Sequence, residues 1–371
     1  MTGKIKKIAI VAIVTYLLIE LTCFIFIEYK FKGAHLPRFI FQYDYKKYDF
    51  TIAEIEPVWG TWHYKESYTE KKQCFESAYH INSFGARDKE RKMIADTNRT
   101  IFLGDSFIEG YGLNESERLT NQLESLSNRE VLNFGCGYFT PTHEYLLYKE
   151  LAHKFSHNTI IVGILPFNDM VESDTSFHEK DGFVHYQPYF QGTAPDYHLM
   201  YRENNISKST FNKEGYYKIQ NTTMARFTRV FKECSYWYNL YQFIKANRPV
   251  INENKEPYSG YYDCTGAQLS KLYFILNKLK EAAEGKRLIV VAIPVYNDLE
   301  KFAADPSPVF TMKMDSFCTS SKIEYIDLLP IFSKKVKDPR QLYLDCDGHW
   351  NKAANKIAAE IILSLPDKER K

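Results

Sequence analysis

This chain has almost no net charge. Among 371 residues, 48 Lys and Arg face 46 Asp and Glu, leaving a formal +2. Without a basic field, nucleic-acid binding has no support. Cysteine is scarce as well. Seven residues are too few for a disulfide scaffold, and no CxxC pair or Cys/His cluster gives the spacing of a zinc site. His153 and His157 in "HKFSH" stand one helical turn apart without a third ligand, so both are expected at the surface. There is no internal repeat and no low-complexity tract, which excludes solenoids and repetitive arrays. No metal and no cofactor is expected. In an oxidising compartment, Cys234 with Cys264 is a plausible pair.

What the chain does have is a globular balance, 44% apolar and 25% charged, with 28 Tyr and 26 Phe. It also has one long apolar run, "IAIVAIVTYLLIELTCFIFI", Ile8 to Ile27, preceded by Lys4, Lys6 and Lys7. That length suits a helix crossing a bilayer. Its apolar core exceeds that of a signal peptide, and Glu28-Tyr29-Lys30 follows where a cleavage site would stand. Residues 1–30 therefore read as a cytoplasmic N-terminus and an uncleaved single-pass anchor. The leading lysines favour a main domain on the outer (periplasmic or extracellular) side, although Lys30 and Lys32 pull the other way. Glu20 lies within the span, where a carboxylate must be neutralised or paired, and it invites a membrane protein partner.

Residues 31–96 are aromatic, polar and irregular, a membrane-proximal segment ahead of a main domain at 97–371. In that domain Arg99–Leu103, Glu130–Phe134, Asn158–Leu165, Arg287–Ile293 and Ile323–Leu328 are short apolar runs, as expected of strands buried on both faces. Helical spacing lies between them, at Leu147, Leu151 and Phe155 after Pro141, and at Leu269, Leu272, Leu276 and Leu279 before Gly285. Ala354, Ile357 and Ile361 repeat it near the end. The alternation predicts an α/β fold: a three-layer sandwich around a central parallel sheet of about five strands, preceded by one transmembrane helix. Sites in such sheets form beyond the carboxyl ends of the strands. From about 171 to 264 the rhythm is lost in a stretch dense in Tyr, Phe, Asn and Lys, read as an insertion. Its aromatic faces suit sugar rings as well as a core.

Four stretches fall where that sheet edge should be. "GDSFIEGYG" follows the first run and carries Ser106; "NFGCGYF" follows the second and carries Gly135 and Gly137. "PFNDM" follows the third with Asn168 and Asp169, and "YLDCDGHWN" precedes the last helix with Asp345, Asp347 and His349. Together they hold the parts of acyl transfer. A serine hydroxyl needs a base to take its proton, which His349 can be. The imidazole needs a carboxylate to hold its tautomer, Asp347 or alternatively Asp345. A developing oxyanion needs fixed donors, here the amides of Ser106 and Gly137 and the side chain of Asn168. The plainer alternatives are that Ser106 caps a helix, with a turn before any helix at Leu119, and that His349 merely packs beside Trp350. Asp105 reads as a structural acceptor at the sheet edge.

The four stretches in this order resemble the SGNH/GDSL hydrolase superfamily over roughly Ile101 to Leu363. The upstream "HINSFGARDKE", with Asn82, Gly85 and Arg87, and the "DGHWN" ending are similar to membrane-anchored bacterial members. The resemblance implies a flavodoxin-like fold, Ser106 as nucleophile, His349 as base, Gly137 and Asn168 as oxyanion donors, and Asp347 as the favoured acid. Two positions depart from the pattern. Pro166 stands where the third block usually has glycine, and Cys346 holds the place three before histidine where many members have aspartate. The implied function is a serine esterase acting on a small acyl ester or an acylated glycan, with O-acetyl on a surface glycan as one substrate. An O-acyltransferase, or a non-catalytic glycan-binding or assembly protein on the same frame, are the alternatives.

Overall fold

The computed structural model describes residues 2–30, 53–56, 58–63, 67–72, 74–172, 187–202, 224, 235–238, 240–241 and 258–366. Strands are numbered along the chain: β1 Ala53–Glu56, β2 Gly60–His63, β3 Tyr68–Lys71, β4 Glu76–Tyr79, β5 Thr100–Gly104, β6 Val131–Gly135, β7 Thr159–Ile164, β8 Gln187–Thr193, β9 Asp196–Arg202, β10 Arg287–Ala292 and β11 Glu324–Asp327. Five of them, in the order β11-β10-β7-β5-β6, form one sheet in which every pairing is parallel. Counted within the sheet this is the flavodoxin-like order 2-1-3-4-5. The five apolar runs are these five strands, each within a residue or two of its expected bounds. In β5, β6, β7 and β10 the residues are buried almost without break, as for Ile101, Phe102 and Leu103 at 0% exposure, whereas in the edge strand β11 only Ile326 is buried.

Direction reverses after β6, because the chain steps one way to pair β6 with β5 and then crosses back to β7. Right-handed crossovers therefore place helices on both faces. Helix Pro141–Glu150 packs with Gly266–Ala282, and Leu119–Ser127 with Lys352–Leu363. Gly266–Ala282 begins at a Thr265/Gln268 capping box and buries Leu269, Leu272, Leu276 and Leu279. Asn351 caps the last helix, and Asn355 within it accepts the Leu119 amide at 2.8 Å, joining the two helices of one layer.

The segment read as irregular before residue 97 is more ordered than its composition indicates. It holds two antiparallel hairpins, β1–β2 and β3–β4. After them Asn82 organises a turn by accepting the Phe84 and Ala86 amides at 3.1 and 3.0 Å. That turn delivers Arg87, fully buried, to the carbonyls of Gly110 at 2.6 Å, Leu113 at 2.5 Å, Ala78 at 3.2 Å and Glu109 at 3.3 Å. Its guanidinium lies 3.4 Å from the centroid of the Tyr79 ring.

Two expectations are corrected. Cys264 carries a free thiol, and Cys234 lies outside the described residues; the disulfide joins Cys74 to Cys346, 272 positions apart. Spacing cannot reveal such a pair, because only the tertiary fold brings the β3–β4 turn to the loop before the last helix. His157 is buried rather than at the surface, with its ring nitrogens bonded to the Tyr148 hydroxyl at 3.0 Å and the Phe155 carbonyl at 2.6 Å. Burial pushes its pKa down.

Within the insertion, β8 and β9 form a hairpin, and β8 packs on helices Pro141–Glu150 and Gly266–Ala282. At the other end of the chain, Thr2–Lys30 is one helix. Its Gly3–Ile27 stretch, in which an 18-residue window has mean hydropathy 2.6 and is 6% buried, is long and apolar enough to cross a membrane. Replacing Cys74 or Cys346 with Ser should lower the unfolding free energy by about 2–5 kcal/mol, read as a fall in the urea midpoint.

Candidate active site

Ser106 leaves the sheet where strand order reverses, between β5 and its neighbours. Gly104 permits the abrupt exit: with φ at 158°, any Cβ there would meet Ile108 Cγ1 at 2.3 Å. A single helical turn, Ser106–Glu109, begins at once, earlier than the turn expected from the glycines. Asp105 caps it by accepting the Phe107 amide at 2.9 Å. The capping role open to Ser106 therefore belongs to its neighbour, and the hydroxyl is left for another contact. Gly110, in the left-handed region at φ 78°, ends the turn.

That contact is His349. Its Nε2 lies 2.7 Å from Ser106 Oγ, and its Nδ1 is hydrogen-bonded to Asp347 Oδ1, which also accepts the His349 amide at 3.2 Å. Asp345 is exposed and has no hydrogen bond to His349 among the described residues; of the two carboxylates it is Asp347 that meets the imidazole. The loop holding both is compact. Leu344 N–H donates to the His349 carbonyl at 2.9 Å, Asp347 N–H donates to the Leu344 carbonyl at 3.2 Å, and buried Trp350 anchors the far side through Pro294. Phe107 and Tyr111 flank the imidazole with centroids 4.8 and 4.6 Å away.

Lys72, from the segment before the sheet, donates to Asp347 Oδ2 at 3.1 Å and lies 4.7 Å from the centroid of the Tyr111 ring. The Tyr111 hydroxyl in turn donates to Glu70 at 2.8 Å. Burial alone would raise the pKa of Asp347, but the hydrogen bond and charge of His349, then Lys72, hold it well below the usual carboxylate range. Sequence reasoning missed Lys72, Phe107, Tyr111 and Glu70. Nothing local marks Lys72, whose role comes from the disulfide two residues later.

The expected oxyanion donors are placed less simply. Gly137 is close, since a Cβ on it would lie 3.9 Å from Ser106 Cβ. Its amide, however, donates to the buried carboxylate of Glu109 at 2.7 Å. Glu109 stands three residues after Ser106 on the same turn and so reaches the same space. Asn168 lies in the first turn of helix Pro166–Glu172, with its carboxamide in no hydrogen bond among the described residues. Pro166 fits because it is the first helical residue, where its missing N–H costs nothing. Asp169 then closes the turn by accepting the Leu165 amide at 2.7 Å. Among the described residues there is no cluster of His, Cys, Asp and Glu suited to a metal.

No protein-family model matches the chain, and no curated protein does. Several solved structures are similar to it. A member of the lipolytic G-D-S-L family from Veillonella parvula is 11% identical, covering 72% of this chain and 97% of that one, with a TM-score of 0.36. A Lactobacillus plantarum protein is 12% identical over 73% and 97%, with a TM-score of 0.37. A carbohydrate esterase family 2 enzyme with a carbohydrate-binding domain, from Corynascus thermopiles, is 10% identical over 74% and 66%, at 0.36. Likenesses of this size carry no weight for activity; the fold rests on its strand order and the site on its own distances.

Burial pushes the Asp105 carboxyl up to about 6, although the Phe107 amide and His349 oppose the rise. A carboxyl raised on folding costs stability as pH climbs from its unfolded value through the folded one. Asp105→Asn keeps the cap and removes the buried charge. Melting temperatures should therefore favour the variant above about pH 6, with the gap closing as pH falls toward about 4.

Proposed function

We propose that this chain is a serine esterase of the SGNH type. The observation that carries the reading is the unbroken line of contacts Lys72–Asp347–His349–Ser106, ending 2.7 Å from a hydroxyl at the carboxyl edge of the sheet. Ser106 Oγ attacks an ester carbonyl while its proton passes to His349 Nε2, and Asp347 stabilises the imidazolium. Negative charge collects on the former carbonyl oxygen, where the Ser106 and Gly137 amides and the Asn168 carboxamide are the candidate donors. For the Gly137 amide to serve, the Glu109 carboxylate must withdraw or take up a proton. The tetrahedral species then expels the alcohol, which takes the proton from His349, and Ser106 is left acylated. Water attacks that ester with His349 again as base, and the acid leaves.

The substrate class we favour is an acyl group, acetyl among them, on a surface glycan. Aromatic side chains beside the site support a sugar: Tyr138, directly after Gly137, is 62% exposed, and Phe167, directly before Asn168, is 36% exposed. An acceptor hydroxyl in place of water would make the same intermediate a transferase. We place the domain on the outer side of the membrane, which the Cys74–Cys346 disulfide supports, since such bonds persist in oxidising compartments.

A fluorophosphonate probe should add its mass to Ser106 and leave Ser106→Ala unlabelled; an unlabelled wild type with intact fold sinks the esterase reading. Acetylated glycans supplied during turnover separate release of free acid from transfer. Asn168→Ala should slow acylation by about two to three powers of ten. Lys72→Met should slow labelling by about tenfold, and by nothing further once Asp347 is already Asn, because neighbours acting through one another are not additive. Equal losses in both backgrounds would show that Lys72 acts by another route.

A further inference from the structure

Glu20 finds its partners inside this chain. Its Oε1 accepts the Ser235 hydroxyl at 2.5 Å, and its Oε2 accepts the Tyr236 amide at 2.6 Å. Four residues along the helix, Phe24 meets the Tyr236 ring edge to face, with centroids 5.1 Å apart. Ser235 and Tyr236 are thus docked beside Phe24 on a helix whose preceding stretch, Ile8 to Ile19, is largely apolar and exposed among the described residues.

Depth gives this contact its meaning. Glu20 precedes Ile27, the last residue of the apolar stretch, by seven positions, which is about 10 Å of helix. With the helix across a bilayer whose hydrocarbon is about 30 Å thick, that places the carboxylate inside the leaflet at the helix's carboxyl-terminal end. An amide and a hydroxyl bonded to it must sit at a similar depth. We propose that the 235–238 turn, with Tyr241 beyond it, enters that leaflet beside the N-terminal helix, making lipid its partner and satisfying Glu20 with Ser235 and Tyr236. The chemistry of the segment fits. A carboxylate in hydrocarbon is costly unless donors neutralise its hydrogen-bonding demand, and the turn at Tyr236–Tyr238 is helical, which limits exposed backbone. Trp237, Tyr238 and Tyr241, the last 51% exposed, carry apolar rings with polar tips suited to the headgroup boundary. The chain would then grip the membrane at two points distant in sequence, whatever reaction Ser106 performs.

The test uses the full chain in phosphatidylcholine vesicles, with and without bromine on carbons 6 and 7 of the acyl chains. Subtracting the fluorescence of Trp237→Phe from that of the unaltered chain isolates Trp237. Bromine should remove most of that signal, while aqueous iodide leaves it nearly intact. Glu20→Leu, which keeps the helix apolar and deletes the acceptor, should expose Trp237 to iodide and relieve the bromine quenching. Iodide quenching of Trp237 in the unaltered chain, or an unchanged pattern in Glu20→Leu, overturns the proposal.

Discussion

A guanidinium sealed from water holds the Ser106 turn in place. Short helices end with carbonyls that have no intrahelical partner, and here those of Glu109 and Gly110 are met by Arg87. The same side chain accounts for Leu113 and Ala78 and lies on the Tyr79 ring, so one cation ties the Ser106 turn to the β3–β4 hairpin. This arginine, at 0% exposure, has both terminal nitrogens met by carbonyls, while its Nε finds no hydrogen-bond partner among the described residues and its guanidinium lies on the Tyr79 ring. Either side would fail without the other: the turn would fray, or the cation would be stranded.

From that fixed point the rest of the site follows by proximity. The hairpin that receives Arg87 also carries Glu70, Lys72 and Cys74, and these reach Tyr111, Asp347 and Cys346 respectively. The loop with Asp347 and His349 is therefore held from two sides, by Trp350 packed beneath it and by the disulfide at its outer edge. A base that must stay within hydrogen-bond reach of a serine gains from such double restraint, because small displacements cost heavily in proton transfer. Glu109 adds a counterweight. Its side chain accepts from the Gly137 amide, so that donor is already engaged in the structure.

Periodicity and composition were enough for the sheet. Five apolar runs suit strands buried on both faces, and their alternation with amphipathic stretches left a parallel sheet as the economical arrangement. The candidate residues Ser106, Gly137 and Asn168 were legible because glycine, proline and polar residues follow the first three runs at their carboxyl ends, where a strand must surface. Asp347 was preferred over Asp345 by resemblance alone, and it is Asp347 that is hydrogen-bonded to His349 Nδ1. Residues whose signal is not local stayed hidden. Lys72 is one lysine among many in sequence, and Glu109 is an ordinary helix former until the fold lays it against Gly137.

By itself, then, the amino-acid order determined the five strands of the central sheet, the helices between them, an N-terminal run long and apolar enough to cross a membrane, and the sheet edge where the candidate residues lie. Those features depend on hydrophobic period and on glycine's freedom, both properties of neighbouring residues. Tertiary structure alone decided that Cys74 bonds Cys346, that Lys72 faces Asp347, that His157 is buried and that Glu20 meets Ser235. Each of these joins side chains through space, and what a side chain pairs with depends on the whole path of the backbone between.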